Sequence, residues 1–331
     1  DAAHALRCEL FRHCYAKLQV AADEYAALVP EPFASTAAER ADTAAFFFEE
    51  LRVPALCTPR HSELAALAMG KLTALVVDLG AGCTAATAVV DGVAQARSVR
   101  TSQVTSSSVA AAFGKALEEW HGASFDAAAD APAGALAAYR RREGVRSAYE
   151  ALCRVMPDRS NVLPMGVAPT TPYELPDGRV IHVGGSEKTP NKRDERYLFG
   201  DAFFNDSKED ALQPLQVLAL GAIQAVTYDP HRRALLRSVG RAGGGSVTVG
   251  LPERLETELR SLVSRQRVPV VSAGGRIAVH AGLSNERRHG TWLGGSVLGS
   301  MPASAQLWMS REEYDEYGPS LLVRKGFAAY Q

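Results

Sequence analysis

Apolar residues along the chain fall into two rhythms. Leu6, Leu10 and Cys14 recur at helical spacing, as do Ala44, Phe47 and Leu51, and later Leu251, Leu255, Leu259 and Leu262. Other apolar runs are short and unbroken. Leu72 to Val77 is partly β-branched, as a strand buried on both faces requires, and Ala85 to Val90 continues from it into the turn Asp91-Gly92. Gln19-Val20, Ala27 to Val29 and Val53 to Leu56 read as short extended pieces. Tyr173 to Val183, interrupted by Pro176-Asp177-Gly178, reads as a hairpin, and Val268 to Val271 as a strand. Arg140 to Leu152 and the stretch opening at Trp292 read as helices. Residues 157 to 172 hold four prolines and read as a loop, as do the polar residues 185 to 196. The Ala-rich residues 122 to 138 fit either a helix or a flexible insertion. Strands alternating with helices indicate an α/β protein, and the length suggests two lobes.

Composition narrows the function classes. With 36 basic and 37 acidic residues the formal charge is −1, so no basic excess advertises nucleic acid and no acidic run a basic partner. The five cysteines are widely spaced and form no C-x-x-C, which argues against a disulfide framework or a zinc site and fits a reducing compartment. No apolar run approaches the roughly 20 residues of a membrane helix, and no signal-peptide pattern opens the chain.

Two glycine-rich turns carry candidate chemistry. Asp78-Leu-Gly80-Ala81-Gly82-Cys83-Thr84 closes the strand at Leu72 to Val77. Such glycines let the backbone approach a ligand, its N–H groups can cradle a phosphate, and an aspartate at the strand end can hold magnesium through water. Gly243-Gly244-Gly245-Ser246 precedes Pro252, which suits the first turn of a helix, and its small residues leave room for a flat ring. Taken singly, each turn is equally an ordinary glycine-rich turn.

The order of these turns, together with the C-terminal sequence, resembles the actin family. Trp292-Leu-Gly-Gly-Ser-Val-Leu-Gly-Ser-Met301, then Gln306-Leu-Trp-Met-Ser-Arg-Glu-Glu-Tyr-Asp-Glu-Tyr-Gly-Pro-Ser-Leu-Leu-Val-Arg-Lys-Gly-Phe327, is similar to the end of actin almost without gaps. Tyr173 to Ile181 resembles the hairpin of the family's third subdomain. Arg52 to Leu56 and Val77 to Thr84 resemble the approach to its second phosphate loop. The resemblance runs from about Tyr15 to Phe327 and is patchy over 95–138 and 191–241.

The resemblance implies an actin-like ATPase (ribonuclease-H-like) fold, two lobes around a nucleotide cleft. Residues 1–94 would form the first lobe, 95–290 the second, and 291–331 a return to the first. The family's first phosphate loop and second subdomain do not appear among these residues, so the first lobe is expected to be incomplete. The implied ligand is ATP or ADP with magnesium. Asp78, Gly80, Gly82 and Thr84 stand at the phosphate loop, with Asp78 toward the metal. Arg146, Tyr149 and Glu150 stand at the base and ribose contacts, Gly243 and Gly244 at the adenine-side loop, and Arg288 beside the base. Tyr149 replaces a lysine and is expected to stack on the base. The bland alternative for Arg146 and Glu150 is a helical ion pair.

Three departures bear on catalysis. Ala81 stands where actin has an aspartate that helps place the metal's water shell. His61 stands where it has the glutamine that orients the attacking water, and Ala85 where it has a nearby histidine. Hydrolysis depends on such positioning, so a pseudo-ATPase is expected. Leu293, Val297 and Met301, near Leu67, keep apolar character in the family's partner-binding groove, whereas Ser304 replaces a phenylalanine there. The expected role is a structural or scaffold subunit of a larger protein assembly, binding no membrane and no nucleic acid directly. The tail's likeness to conventional actin points to the cytoplasm, cytoskeleton or cilium. The alternatives are a nuclear subunit of a chromatin-remodelling complex, a filament-forming ATP-hydrolysing actin and, least of all, a sugar kinase of the superfamily.

Overall fold

The computed structural model describes residues 2–33, 35–125, 134–157, 170–185, 194–205, 209–265, 276–280 and 282–324. Among these the strands are β1 (Ala27–Leu28), β2 (Ala55–Cys57), β3 (Ala74–Leu79), β4 (Thr84–Val90), β5 (Val93–Ala94), β6 (Arg100–Ser102), β7 (Thr171–Glu174), β8 (Val180–Val183), β9 (Val239–Ala242) and β10 (Met309–Ser310). The helices are α1 (Ala2–Leu18), α2 (Ala37–Ala45), α3 (His61–Ala68), α4 (Ser106–His121), α5 (Ala135–Leu152), α6 (Glu195–Leu198), α7 (Leu215–Gln224), α8 (Asp229–Leu236), α9 (Leu251–Arg265), α10 (Ser284–Arg288), α11 (Gly290–Ser300), α12 (Arg311–Tyr317) and α13 (Ser320–Arg324). They form two compact units. Unit 1 holds 1–72, 89–96 and 290–331, and unit 2 holds 73–88 and 97–289.

In unit 1, β2 is flanked by β1 in parallel and β10 in antiparallel pairing, with Leu56 opposite both Ala27 and Met309. A π-helical turn, Phe46–Glu50, extends α2 and points three phenylalanines inward. Each such burial is worth about 1.5–3 kcal/mol. Phe48 stacks on Tyr314 at 4.6 Å between centroids, which ties this turn to α12. Helix α1 forms as its period predicts, but it turns another face inward. Leu6 and Leu10 are 73% and 58% exposed and Cys14 is exposed, while Cys8 is buried and Phe11 meets Phe47 edge-on at 5.0 Å. The expected strand at Gln19-Val20 is absent. Gln19 takes φ 57 and its N–H returns to Ala16, so the helix ends there in a turn. Helix α3 packs on α11 at Gly294, where an added Cβ would lie 1.9 Å from the Leu64 carbonyl oxygen.

In unit 2, β3 lies between β4 and β9, and β6 pairs with β4. All six residues of β3 are buried, as its apolar run requires. The strand starts two residues later than expected, leaving Leu72 outside it and 64% exposed. Parallel pairing of β3 with β9, from Leu75↔Val239 to Asp78↔Ala242, brings the ends of both strands side by side. Helix α9 buries Leu251, Leu255 and Leu259 completely, with Leu262 partly covered. The hairpin β7–β8 forms around Gly178 at φ 81. Helix α5 starts at Ala135, inside the Ala-rich stretch, whose residues 126–133 lie outside the described residues. So do most of the two expected loops and the expected strand Val268 to Val271.

Candidate functional site

The parallel register of β3 and β9 makes the site. Leaving β3, the chain turns sharply, and the Gly80 N–H donates to the Cys83 carbonyl at 3.0 Å. Leaving β9, Gly243 takes φ 82 and passes so close that a Cβ there would meet Asp78 Oδ1 at 2.5 Å and the Leu79 carbonyl at 2.6 Å. Only glycine fits that approach. The third segment is the start of α4. Thr105 caps it by accepting from the Ser108 N–H, while the Ser106 N–H and hydroxyl both donate to the Gly80 carbonyl, at 3.1 and 2.9 Å. Ala81, Ser106, Ser107, Gly244 and Gly245 thus form one end of a 980 Å³ cavity. That is near the top of the roughly 300–1,000 Å³ range of ligand sites.

The other wall is α5. Arg146, Tyr149 and Glu150 line it, and Arg288 joins from α10. Glu150 holds both arginines, with Oε1 accepting from Arg146 at 3.2 Å and Oε2 from Arg288 at 2.9 Å. Arg146 also reaches Glu143 at 2.5 Å. Five basic side chains line the cavity against three acidic ones, which favours an anionic occupant.

Of the ten residues expected to touch a nucleotide, the cavity is lined by Arg146, Tyr149, Glu150, Gly244 and Arg288. Gly243 supports the turn beneath. Asp78, Gly80, Gly82 and Thr84 are not on the lining, although Ala81 in their midst is. Thr84 is buried with its hydroxyl donated to the Val104 carbonyl at 2.8 Å, so it closes the fold rather than presenting to a phosphate. Tyr149 departs from the stacking expectation. It is 5% exposed and its hydroxyl bonds Thr248 at 3.0 Å inside the core, so the ring is a fixed part of the wall.

Asp78 is the most perturbed acid of the turn. Burial raises its carboxyl to about 6. A cation beside it would restore the charged form. Among the described residues no three ligating side chains gather, so a divalent ion here would depend on Asp78, water and the phosphates themselves. The Gly243 cradle, the buried Asp78 carboxylate beneath it and the basic rim fit a nucleoside phosphate with its metal.

Sequence reasoning missed Ser106, Ser107 and two arginines, one buried and one half-buried. Arg241, 3% exposed, donates to the carbonyls of Ser246 at 3.0 Å and His280 at 3.2 Å, and Arg287 donates to the same Ser246 carbonyl at 2.5 Å. Burial, then the neighbouring Arg287 charge, pulls Arg241 down to about 10. The Thr105-Ser-Ser-Ser cap signal marks the start of α4 in the sequence. Nothing local marks the arginines.

Three positions depart from actin's catalytic groups. Ala81 lines the cavity with a methyl group and Ala85 is fully buried in β4. His61 belongs to unit 1, where its ring meets Phe33 edge-on at 5.7 Å and bonds the Pro30 backbone; burial lowers its pKa.

Unit 1 has a second cavity, of 270 Å³, between α3, the 91–93 turn and the end of α11. Leu67, Met301 and Ser304 line it, as expected for the groove, whereas Leu293 and Val297 do not. Ser304 is tied inward, donating to the Met301 carbonyl at 2.7 Å and accepting from the Trp308 indole at 3.3 Å.

A model of the Actin family matches residues 6–327. The chain belongs to the actin family. It therefore has the actin-like ATPase fold, in a family that binds nucleotides. Among its relatives, actin-related protein 4 of rice (Oryza sativa subsp. indica) is 30% identical over 342 residues, covering 93% of this chain and 73% of the relative. Actin-related protein 4 of Arabidopsis thaliana is 29% identical over 347 residues, covering 95% and 74%. These matches overturn the expected cytoplasmic, cytoskeletal or ciliary location. That expectation rested on one segment, Trp292 to Phe327, whereas the likeness to actin-related protein 4 extends over nearly the whole chain. Among the described residues no helix is long and apolar enough to cross a membrane.

Proposed function

We propose that the chain is an actin-related scaffold subunit of a nuclear chromatin-remodelling assembly, binding a nucleotide without hydrolysing it. The observation that carries this reading is likeness to actin-related protein 4 over more than nine-tenths of the chain. Of the two settings open from the sequence, it favours the nuclear one. In this reading ATP or ADP lies along α5, with Arg146, Glu150 and Arg288 at the nucleoside and the turns at Gly80–Gly82 and Gly243–Gly245 at the phosphates. Asp78 would hold the magnesium, and the metal would supply neutralisation of phosphate charge. The chain's own residues bind and orient, but Ala81 and Ala85 offer no group to position an attacking water.

The test joins location to chemistry. The tagged full chain should fractionate with nuclei and co-purify with a fixed set of subunits; a free cytoplasmic monomer would overturn the scaffold reading. Single-turnover incubation with radiolabelled ATP and magnesium should show binding without phosphate release. Turnover abolished by Asp78→Asn would make it an ATPase.

A further inference from the structure

The 980 Å³ cavity extends well past the part that the nucleotide reading uses. On α5 its lining runs from Ala138 to Glu150, about 18 Å at 1.5 Å per residue. The base and ribose contacts, Arg146, Tyr149 and Glu150, take up only the last turn of that length. From Val145 back to Ala138 about 11 Å of groove remains, with α4 as its other wall. A Cβ on Gly114 would stand 2.7 Å from Val145 Cγ1, and Arg141 bonds Glu118 at 2.5 Å, so the two helices touch and run antiparallel. The apolar lining of this outer part is small, Ala110, Ala111, Ala138 and Val145, and its cations are Lys115, Arg141 and Arg142. Its two acids are already held, Glu118 by Arg141 and Glu143 by Arg146. Lys115 meets Glu119 at 3.9 Å, between exposed side chains. Among the described residues no acid pairs with Arg142, whose guanidinium lies over the Tyr139 ring at 5.4 Å from its centroid.

We propose that the outer part of the α4–α5 groove takes an extended acidic segment of a partner protein, its carboxylates pairing with Lys115 and Arg142 and its small apolar side chains lying on the alanines. The proposal rests on the scaffold reading and gives the partner's chemistry. Charge complementarity selects the occupant: the acids of the groove are spent on arginines of the same wall, whereas Lys115 and Arg142 keep charge to offer, so acidic side chains are favoured and basic ones rejected. The length suits an extended chain, since about 11 Å at about 3.3 Å per residue holds three or four residues, two of them facing the groove. The alanines separate a peptide from nucleic acid. Phosphates would meet the cations but leave that strip uncovered, and no aromatic face on this lining offers a base a platform.

The experiment selects peptides from a random twelve-residue display library on the full chain and measures the winners by fluorescence polarisation. Selected peptides should carry two or more aspartates or glutamates spaced by alanine or valine. Ala111→Trp, which fills the apolar strip, should weaken them tenfold or more. Replacing the acids by their amides should cost tenfold or more on the wild-type chain and under twofold on the double variant Lys115→Gln, Arg142→Gln; both positions are at the surface, and an unchanged urea midpoint shows that the variant folds. Equal loss on both chains, or winners without acids, overturns the pairing with Lys115 and Arg142. Winners indifferent to Ala111→Trp overturn the groove. A twelve-base single strand of DNA that binds as tightly as the peptides, and is weakened as much by the double variant, makes this a phosphate site and overturns the peptide. Peptide affinity should change less than threefold when magnesium ATP is added; displacement by ATP overturns a separate outer site. Calorimetry shows independently whether ATP binds, and nuclear co-purification tests the scaffold reading, so failure of either is distinguishable from failure of this proposal.

Discussion

Arg288 Nη2 donates to Glu150 Oε2 at 2.9 Å, joining two residues 138 positions apart across the mouth of the larger cavity. The contact makes α10 and α5 one rim. Both partners are about one-third exposed, so the pair adds little to stability but fixes where a positive charge faces the cavity.

Arg288→Ala should therefore leave the urea midpoint unchanged and weaken ATP binding about tenfold, the worth of one charge-assisted hydrogen bond of about 1.5 kcal/mol. Isothermal titration calorimetry with magnesium ATP checks this. Unchanged affinity would remove Arg288 from the site.

Asp78 predicts a pH dependence. Its carboxyl is raised from 3.8 to about 6 in the folded chain, so between those values the folded state holds more protons than the unfolded one. Stability should fall as pH rises from about 4 to about 6, by roughly 3 kcal/mol for this group alone. Asp78→Asn should remove that part of the slope and raise stability at pH 7. Urea unfolding across the range measures both.

Gly294→Ala places a methyl group 1.9 Å from the Leu64 carbonyl oxygen, a backbone atom that no rotamer change can move. The expected loss is about 3 kcal/mol or more, seen as a lower urea midpoint, because α11 must lift off α3.

Arg254, in α9, bonds the carboxylates of Asp201 at 3.1 Å and Glu258 at 2.8 Å, all three nearly buried. Arg254→Met leaves two buried acids facing each other and should cost about 3–5 kcal/mol. Adding Asp201→Asn should recover part of the loss, which a double-mutant comparison of urea midpoints reads directly.

Features written in one short stretch were legible in the sequence. β3 and its turn are a β-branched run ending in Asp-x-Gly-x-Gly, and α9 repeats leucine every four residues or so. The inward face of α1 was not legible, because Leu6 and Leu10 are as apolar as Cys8 and Phe11. Only the phenylalanine cluster of the turn after α2 decides which side is covered. The site was legible in halves. The α5 residues and glycine turns come from the family resemblance, whereas Ser106 matters through a carbonyl 26 residues away. The depth of Tyr149 depends on Thr248, 99 residues on, which no local pattern encodes.

Arg241 and Arg287 gripping a single carbonyl oxygen, that of Ser246, has a consequence for ionic strength. Mobile ions screen charges that face solvent, over about 8 Å at physiological salt, but hardly reach a guanidinium as deep as Arg241. The turn that floors the cavity is thus held in part, through Arg241, by a charge that buffer hardly weakens. Any salt sensitivity of ligand binding originates in the lining cations Lys115, Arg141, Arg142, Arg146 and Arg288, and should level off once those are screened.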